Sequence, residues 1–179
     1  AEALDALDDV LGSAIGEQMV ADVPLGALLS GGLDSSMVVA LMQARSTKPV
    51  RTFTIGFAEG TYDEAAHAKV VAAHLGTEHT ELYVSPDQAR AIIPCLADMY
   101  DEPFADSSQI PTALVCALTR QHVTVCLSGD AGDELFGGYN RYFWATSLWR
   151  RFGKVPLGMR RGAAGMFSSV SAANWNLVF

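Results

Sequence analysis

Two short blocks of the 179-residue sequence hold residues whose types and spacing could do chemistry. The first is Ser30-Gly31-Gly32-Leu33-Asp34-Ser35-Ser36. Its glycines let the backbone turn closely and present consecutive N–H groups to an anion. A helix beginning directly after them adds its positive end, and Ser35 and Ser36 add hydroxyls. Such a loop suits a phosphate chain. It has no lysine, so it is not the G-x-x-x-x-G-K-[ST] loop, and it does not fit G-x-G-x-x-G. The duller reading of the same letters is a Ser/Gly turn capping a helix. The second block runs from Leu127-Ser128-Gly129-Asp130 through Asp133 and Glu134 to Gly137-Gly138-Tyr139, with three acids inside five residues. Beside phosphates, such acids would hold Mg²⁺, which prefers a few carboxylates plus substrate oxygens. Alone, they would be an acidic helix start, favourable with the dipole and chemically silent.

Both blocks must be positioned by regular elements. Leu4, Leu7, Leu11, Ile15 and Met19 recur at three- and four-residue steps, predicting an apolar face on an opening helix that Asp22-Val23-Pro24 ends. Leu25 to Leu29 reads as a buried strand leading into the first block, and a helix follows from about Asp34 to Arg45. Arg51 to Phe57 predicts a second strand, Tyr62 to Leu75 a helix stopped by Gly76, and Thr80 to Val84 a third strand. Residues 87–100 and 109–121 predict further helices, each after a capping signal, and His122 to Leu127 a strand entering the second block. Strands alternating with helices predict an α/β fold, a parallel sheet with helices on both faces. A carboxylate cluster at the C-terminal end of such a strand lies where these sheets hold ligands. From Trp144 onward, Gly153, Pro156, Gly158, Gly162 and Gly165 interrupt what would otherwise be helix. The apolar end Leu177-Val178-Phe179 suggests truncation.

Composition narrows the class. Half the residues are apolar and 18% charged, as in folded globular chains. No apolar run reaches the ~18–20 residues of a membrane span, and the acidic opening lacks the positive start of a secretory signal, so the expected location is cytoplasmic. Residues 1–140 carry six basic and all twenty acidic side chains, a balance of −14, whereas residues 141–179 carry six basic and no acidic ones. An acidic body argues against nucleic acid as a partner. Cys95, Cys116 and Cys126 are too irregularly spaced for a disulfide framework or a zinc site and read as mostly buried small hydrophobes. The four histidines form no metal-binding pattern and take no role. Tyr139, Tyr142, Phe143, Trp144 and Trp149 read as an aromatic cluster packing against further chain, and the basic residues of the tail as a solvated helix face.

The first block resembles the pyrophosphate-binding loop of the N-type ATP pyrophosphatases, which cleave ATP between the α and β phosphates. The second is similar to the second signature of the glutamine-dependent asparagine synthetases. The likeness continues through Thr52–Phe57, Tyr62-Asp63-Glu64-Ala65, Leu75–His79 and Asp101–Ser108, and so covers roughly residues 1–145. It implies an adenine nucleotide alpha hydrolase-like fold. The domain would span 1–145, with 146–179 starting a truncated helical continuation of it. It implies an amide ligase of asparagine biosynthesis that adenylates the side-chain carboxylate of aspartate with Mg·ATP, releases pyrophosphate, and lets ammonia displace AMP. Leu29 and Ile55 would contact adenosine through their backbones, with Ser128 and Gly129 beside it. Ser30, Gly31, Gly32, Asp34, Ser35 and Ser36 would hold the phosphates, and Asp34 and Asp133 the magnesium. Asp130 and Asp133 would act at the reacting centre, Asp130 standing where the family often has Glu. Two departures follow. The glutaminase half of the family needs an N-terminal cysteine where this chain has Ala1, and the synthetase half brings a lysine near the phosphates that no residue here matches. The expectation is a fragment lacking the glutaminase domain and the C-terminal part, with a homodimer open for the full-length protein. Three readings stay beside it. β-Lactam synthetases and lasso-peptide cyclases adenylate other carboxylates on the same fold. A tRNA-modifying pyrophosphatase would need a basic surface, and a nucleotide-binding fragment would be inactive alone.

Overall fold

The computed structural model describes residues 2–57, 64–102 and 106–169. These fall into two compact units, 1–131 and 132–179.

The first unit is built on a four-stranded parallel sheet of β1 (Leu25–Leu28), β2 (Arg51–Phe57), β3 (Glu78–Val84) and β4 (Val125–Leu127), in the order β3-β2-β1-β4. Ala27 pairs with Thr52 and with Leu127, and Thr52 pairs with His79. Strand side chains alternate between faces, so this register sorts the core into two layers. On one face Ala27 and Leu29 join Val39 and Met42 of α2 (Leu33–Arg45), Ala68 and Ala72 of α3 (Glu64–Leu75), and Ile15 of α1 (Glu2–Gln18). On the other, Phe53, Leu28, Ile55, Leu82 and Cys126 meet Leu118 of α6 (Gln109–Thr119) and Val123. Helices therefore cover both faces, as the alternation of elements predicts.

Several boundaries differ from the sequence reading, each for a local reason. Only the C-terminal half of the α1 stripe is used: Ile15 is buried, while Leu4 is 70% exposed. Tyr62 and Asp63, expected to open α3, lie outside the described residues, as do Pro103, Phe104 and Ala105. The helix expected over 87–100 is three pieces: α4 (Pro86–Ala91), a 3-10 turn (Ile93–Cys95) and α5 (Leu96–Met99). Pro94 lacks an N–H and its ring clashes with the preceding turn, so one continuous α-helix cannot pass through it. The start of α4 is sound, because Ser85 and Gln88 form a reciprocal capping box. β4 is half as long as expected; Thr124 donates to the Pro24 carbonyl, and the ladder with β1 begins only at Val125, opposite Leu25. Cys95 and Cys116 are exposed and Cys126 half-buried, so the expectation of mostly buried thiols fails. Cys95 sits in the proline turn, and Cys116 turns away from the face of α6 that carries buried Leu118.

The second unit contains α7 (Gly132–Phe136), α8 (Asn140–Phe152) and α9 (Leu157–Ser168). Gly153 and Pro156 separate α8 from α9 as expected, but Gly158, Gly162 and Gly165 lie inside α9 rather than breaking it. Tyr139 and Tyr142 approach to 5.9 Å between ring centroids, whereas Phe143, Trp144 and Trp149 stand exposed. Arg141 lies over the Tyr139 ring and Arg160 over Trp149, so two of the six basic side chains of the tail rest on aromatic faces. Among the described residues no helix is long and apolar enough to cross a membrane.

Candidate functional site

The strand order places a topological switch beside β1: its neighbour on one side is β2, next in sequence, and on the other β4, the last strand. In parallel α/β sheets the crevice at the carboxyl ends of strands flanking such a point holds ligands. Both chemically suggestive blocks leave the sheet there. β1 ends at Leu28 and runs through Leu29 into Ser30; β4 ends at Leu127 and runs into Ser128. Because Ala27 pairs with Leu127, the two exits lie at the same height.

The first loop is shaped by close backbone approaches. Leu29, 1% exposed, donates its N–H to the Phe53 carbonyl at 2.9 Å and anchors the exit from β1. Gly31 has φ +79°, and a Cβ there would stand 2.6 Å from the amide nitrogen of Ala68 and 2.8 Å from the carbonyl carbon of His67 on α3. Only glycine fits both the left-handed backbone and the space. Gly32 then caps α2, whose first-turn N–H groups have no intrahelical acceptors and point out of the helix end. Asp34 stands in that first turn, half-buried, with no cationic partner among the described residues. Ser30 Oγ and Ser35 Oγ lie 2.9 Å apart, and Ser36 Oγ donates to the Gly32 carbonyl at 2.6 Å.

The second loop touches the first through a glycine. A Cβ at Gly129 would lie 2.6 Å from the Ser35 amide nitrogen and 2.9 Å from the Asp34 carbonyl carbon. The two blocks, almost a hundred residues apart, are thus in backbone contact. Ser128 Oγ donates to Asp130 Oδ2 at 2.9 Å and accepts the Asp130 N–H at 3.4 Å, which fixes that exposed carboxylate. Ala131 follows with φ +71°, a left-handed backbone rare for alanine and of a kind that clusters at functional turns. Ile55 lies two residues beyond Phe53, the partner of Leu28, and so stands level with Ser30 while its side chain enters the core.

Asp133 and Glu134 belong to the second unit. The carboxylate of Asp133 occupies space that a side chain at Gly138 would need, and Gly138 N–H donates to the Asp133 carbonyl at 2.9 Å. Glu134 Oε1 accepts the Tyr139 hydroxyl at 2.8 Å, which holds the Tyr139 pKa above its ordinary value of 10.0. The three acids are therefore not equivalent: Asp130 is tied to Ser128, and Glu134 to Tyr139. Among the described residues no three His, Cys, Asp or Glu side chains converge as a preformed metal cluster. The donors that the first unit offers, Asp34 and Asp130, are hard carboxylate oxygens on its two loops. They fit Mg²⁺, which takes most of its ligands from phosphate and water.

Sequence reasoning missed the contribution of α3. The backbone of His67 and Ala68 forms the wall behind Gly31, and His67, given no role from its spacing, has its Cβ 2.8 Å from where a Gly31 Cβ would be. Nothing in the letters of α3 marks this contact, because it arises from packing between elements.

Comparison with known proteins gives a consistent result. The family model described as Asparagine synthase matches residues 6–177. The glutamine-hydrolyzing asparagine synthetase 1 of Bacillus subtilis is 38% identical over 154 residues, 86% of this chain and 24% of its own length. A putative glutamine-hydrolyzing asparagine synthetase 2 of Methanocaldococcus jannaschii is 46% identical over 131 residues, 73% of this chain and 25% of its own. The chain thus spans about a quarter of the length of these relatives. Among solved structures, the NH3-dependent NAD synthetase of Campylobacter jejuni aligns with a TM-score of 0.52 at 17% identity, over 76% of this chain and 60% of its own. At that identity the likeness speaks for the fold alone, which is the adenine nucleotide alpha hydrolase-like fold.

Proposed function

The chain belongs to the asparagine synthase family, and from that premise we propose that it is the ATP-activating part of an amide ligase that makes asparagine. The observation that supports the reading is the backbone contact of Gly129 with Asp34 and Ser35 at the switch point, since it brings together the strand ends from which the two blocks leave. ATP would lie with its phosphates against Ser30, Gly31, Gly32 and the start of α2, and its adenosine along Leu29, Ile55, Ser128 and Gly129. An oxygen of the aspartate side-chain carboxylate attacks the α-phosphorus, and the bond to the bridging oxygen breaks as pyrophosphate leaves into the loop. Ammonia then attacks the acyl carbon and AMP departs. This chain's contribution is positioning and charge neutralisation by preorganised N–H groups. Asp34 and Asp133 are the residues proposed to hold Mg²⁺, whose charge offsets that of the phosphates. Asp130, held by Ser128, faces the reacting centre, with Asp133 acting there too. Residues 1–145 form the catalytic domain in this reading. The longer protein adds a glutaminase domain as ammonia source, and the enzyme works in the cytoplasm.

The test is calorimetric titration of the chain with Mg·ATP. Binding should be measurable in the parent and weakened at least tenfold in Asp34→Ala and in Ser30→Ala, about the effect of losing a charge-assisted contact or a buried hydrogen bond. Equal binding by all three would remove the phosphates from this loop.

A further inference from the structure

The seven residues of the first block offer three hydroxyls, and their surroundings separate them. Ser35 is buried, 8% exposed, on the inner side of the first turn of α2. Its oxygen accepts the Ser30 N–H at 3.2 Å, lies 2.9 Å from Ser30 Oγ, and donates to the Gly32 carbonyl at 3.3 Å. A hydroxyl has one proton and two lone pairs. With its proton on Gly32, Ser35 must accept from Ser30 Oγ as well as from Ser30 N–H, so all three of its positions are occupied. Ser30 Oγ in turn accepts the Gly32 N–H at 3.3 Å. Ser36 differs: among the described residues its hydroxyl makes one bond, to the Gly32 carbonyl, and none of them donates to its two lone pairs.

We propose that Ser35 is a positioning residue of the loop rather than a phosphate ligand: its hydroxyl is a strut joining Ser30 to Gly32, and phosphate is met by backbone N–H groups and by Ser36. The strut draws Ser30 and Gly32 toward the start of α2, the same backbone that Gly129 abuts. It therefore fixes two things at once: the curvature at Gly31, and the backbone surface on which the second loop rests. A side chain whose hydrogen-bonding capacity is already full has nothing to offer an anion unless this bracing is dismantled. The proposal rests on the phosphate reading of the loop, but its structural half is independent of any ligand.

The test has two readouts, both on the full chain: amide hydrogen exchange without ligand, and calorimetric binding of Mg·pyrophosphate. In Ser35→Ala the Ser30 N–H loses its acceptor and should exchange at least tenfold faster, while core amides such as Phe53 keep their protection and show the variant folded. Pyrophosphate binding should weaken about tenfold, the usual effect of stranding one hydrogen-bonding group. Ser36→Ala should weaken binding and leave Ser30 exchange as in the parent. Unchanged Ser30 exchange in Ser35→Ala would overturn the strut. Faster exchange with parent-level pyrophosphate binding would overturn its role in positioning. Faster exchange in Ser35→Ala together with no pyrophosphate binding by the parent would uphold the strut and reject the phosphate reading beneath it.

Discussion

Gly31 carries two constraints, a left-handed backbone and a wall 2.6 Å from where a Cβ would stand. Gly31→Ala should therefore destabilise the chain by about 2 kcal/mol or more, since strain and steric overlap add, and a denaturation curve would measure it. Ala131 is the converse, an alanine at φ +71°. Ala131→Gly removes that strain but adds freedom to the unfolded chain, so a net gain of up to about 1 kcal/mol is expected in the same measurement. At this scale the sequence was informative about composition and silent about division of labour. The letters Ser-Gly-Gly-Leu-Asp-Ser-Ser marked a phosphate loop, yet Ser35 and Ser36 look alike there. Burial and hydrogen-bond valence distinguish them, and both are properties of the folded loop.

Among the elements, β3 bears a polar row on the face under α3. His79 Nδ1 lies 2.9 Å from Thr52 Oγ1, its Nε2 is buried with no hydrogen-bond partner among the described residues, and Glu81 two residues on pairs with Lys69 of α3 at 3.0 Å. Burial holds the His79 pKa below its ordinary 6.5; the Glu81 charge opposes this and the Lys69 charge adds to it. The unfolded chain binds a proton on this histidine near pH 6.5, and the folded one only at lower pH. In that interval the unfolded state holds more protons, so stability rises with pH and is complete above about 6.5. Denaturation midpoints should fall as pH drops below 6.5, and His79→Gln should flatten that slope. The Lys69–Glu81 pair loosens in a different window, as pH falls below the ordinary Glu value of 4.5, because the Lys69 hydrogen bond lowers the Glu81 pKa. In the second unit, a Cβ at Gly162 of α9 would meet nothing within 4 Å. Gly162→Ala should raise helix content and stabilise α9 by about 1 kcal/mol, read by circular dichroism during melting. Strands and long helices were legible because their apolar periods are strong. The three-piece segment 86–99 and the shortened β4 were not, since one proline and one carbonyl outweighed a continuous pattern. The glycines of α9 misled in the other direction, as local propensity is a weak prior.

For the whole molecule, the order β3-β2-β1-β4 does what no single residue does: it brings strands that start a hundred residues apart to one switch point, with a chemical block leaving each. Alternation of strands and helices predicted a parallel sheet covered on both faces, but not the side of β1 on which the last strand would dock. The contact of Gly129 with α2 follows from that docking, and it explains why two blocks read separately in the sequence act as one site in the proposal. The chain spans about a quarter of the length of the relatives it matches, and in the proposal the complete reaction belongs to a larger polypeptide. The proposed reaction is therefore best tested on the longer protein proposed to contain this chain, by supplying Mg·ATP, aspartate and ammonia and identifying the nucleotide product. AMP and pyrophosphate are expected, formed only when aspartate is present and abolished by Asp34→Ala. Formation of ADP and phosphate, or AMP release indifferent to aspartate, would contradict the proposed reaction.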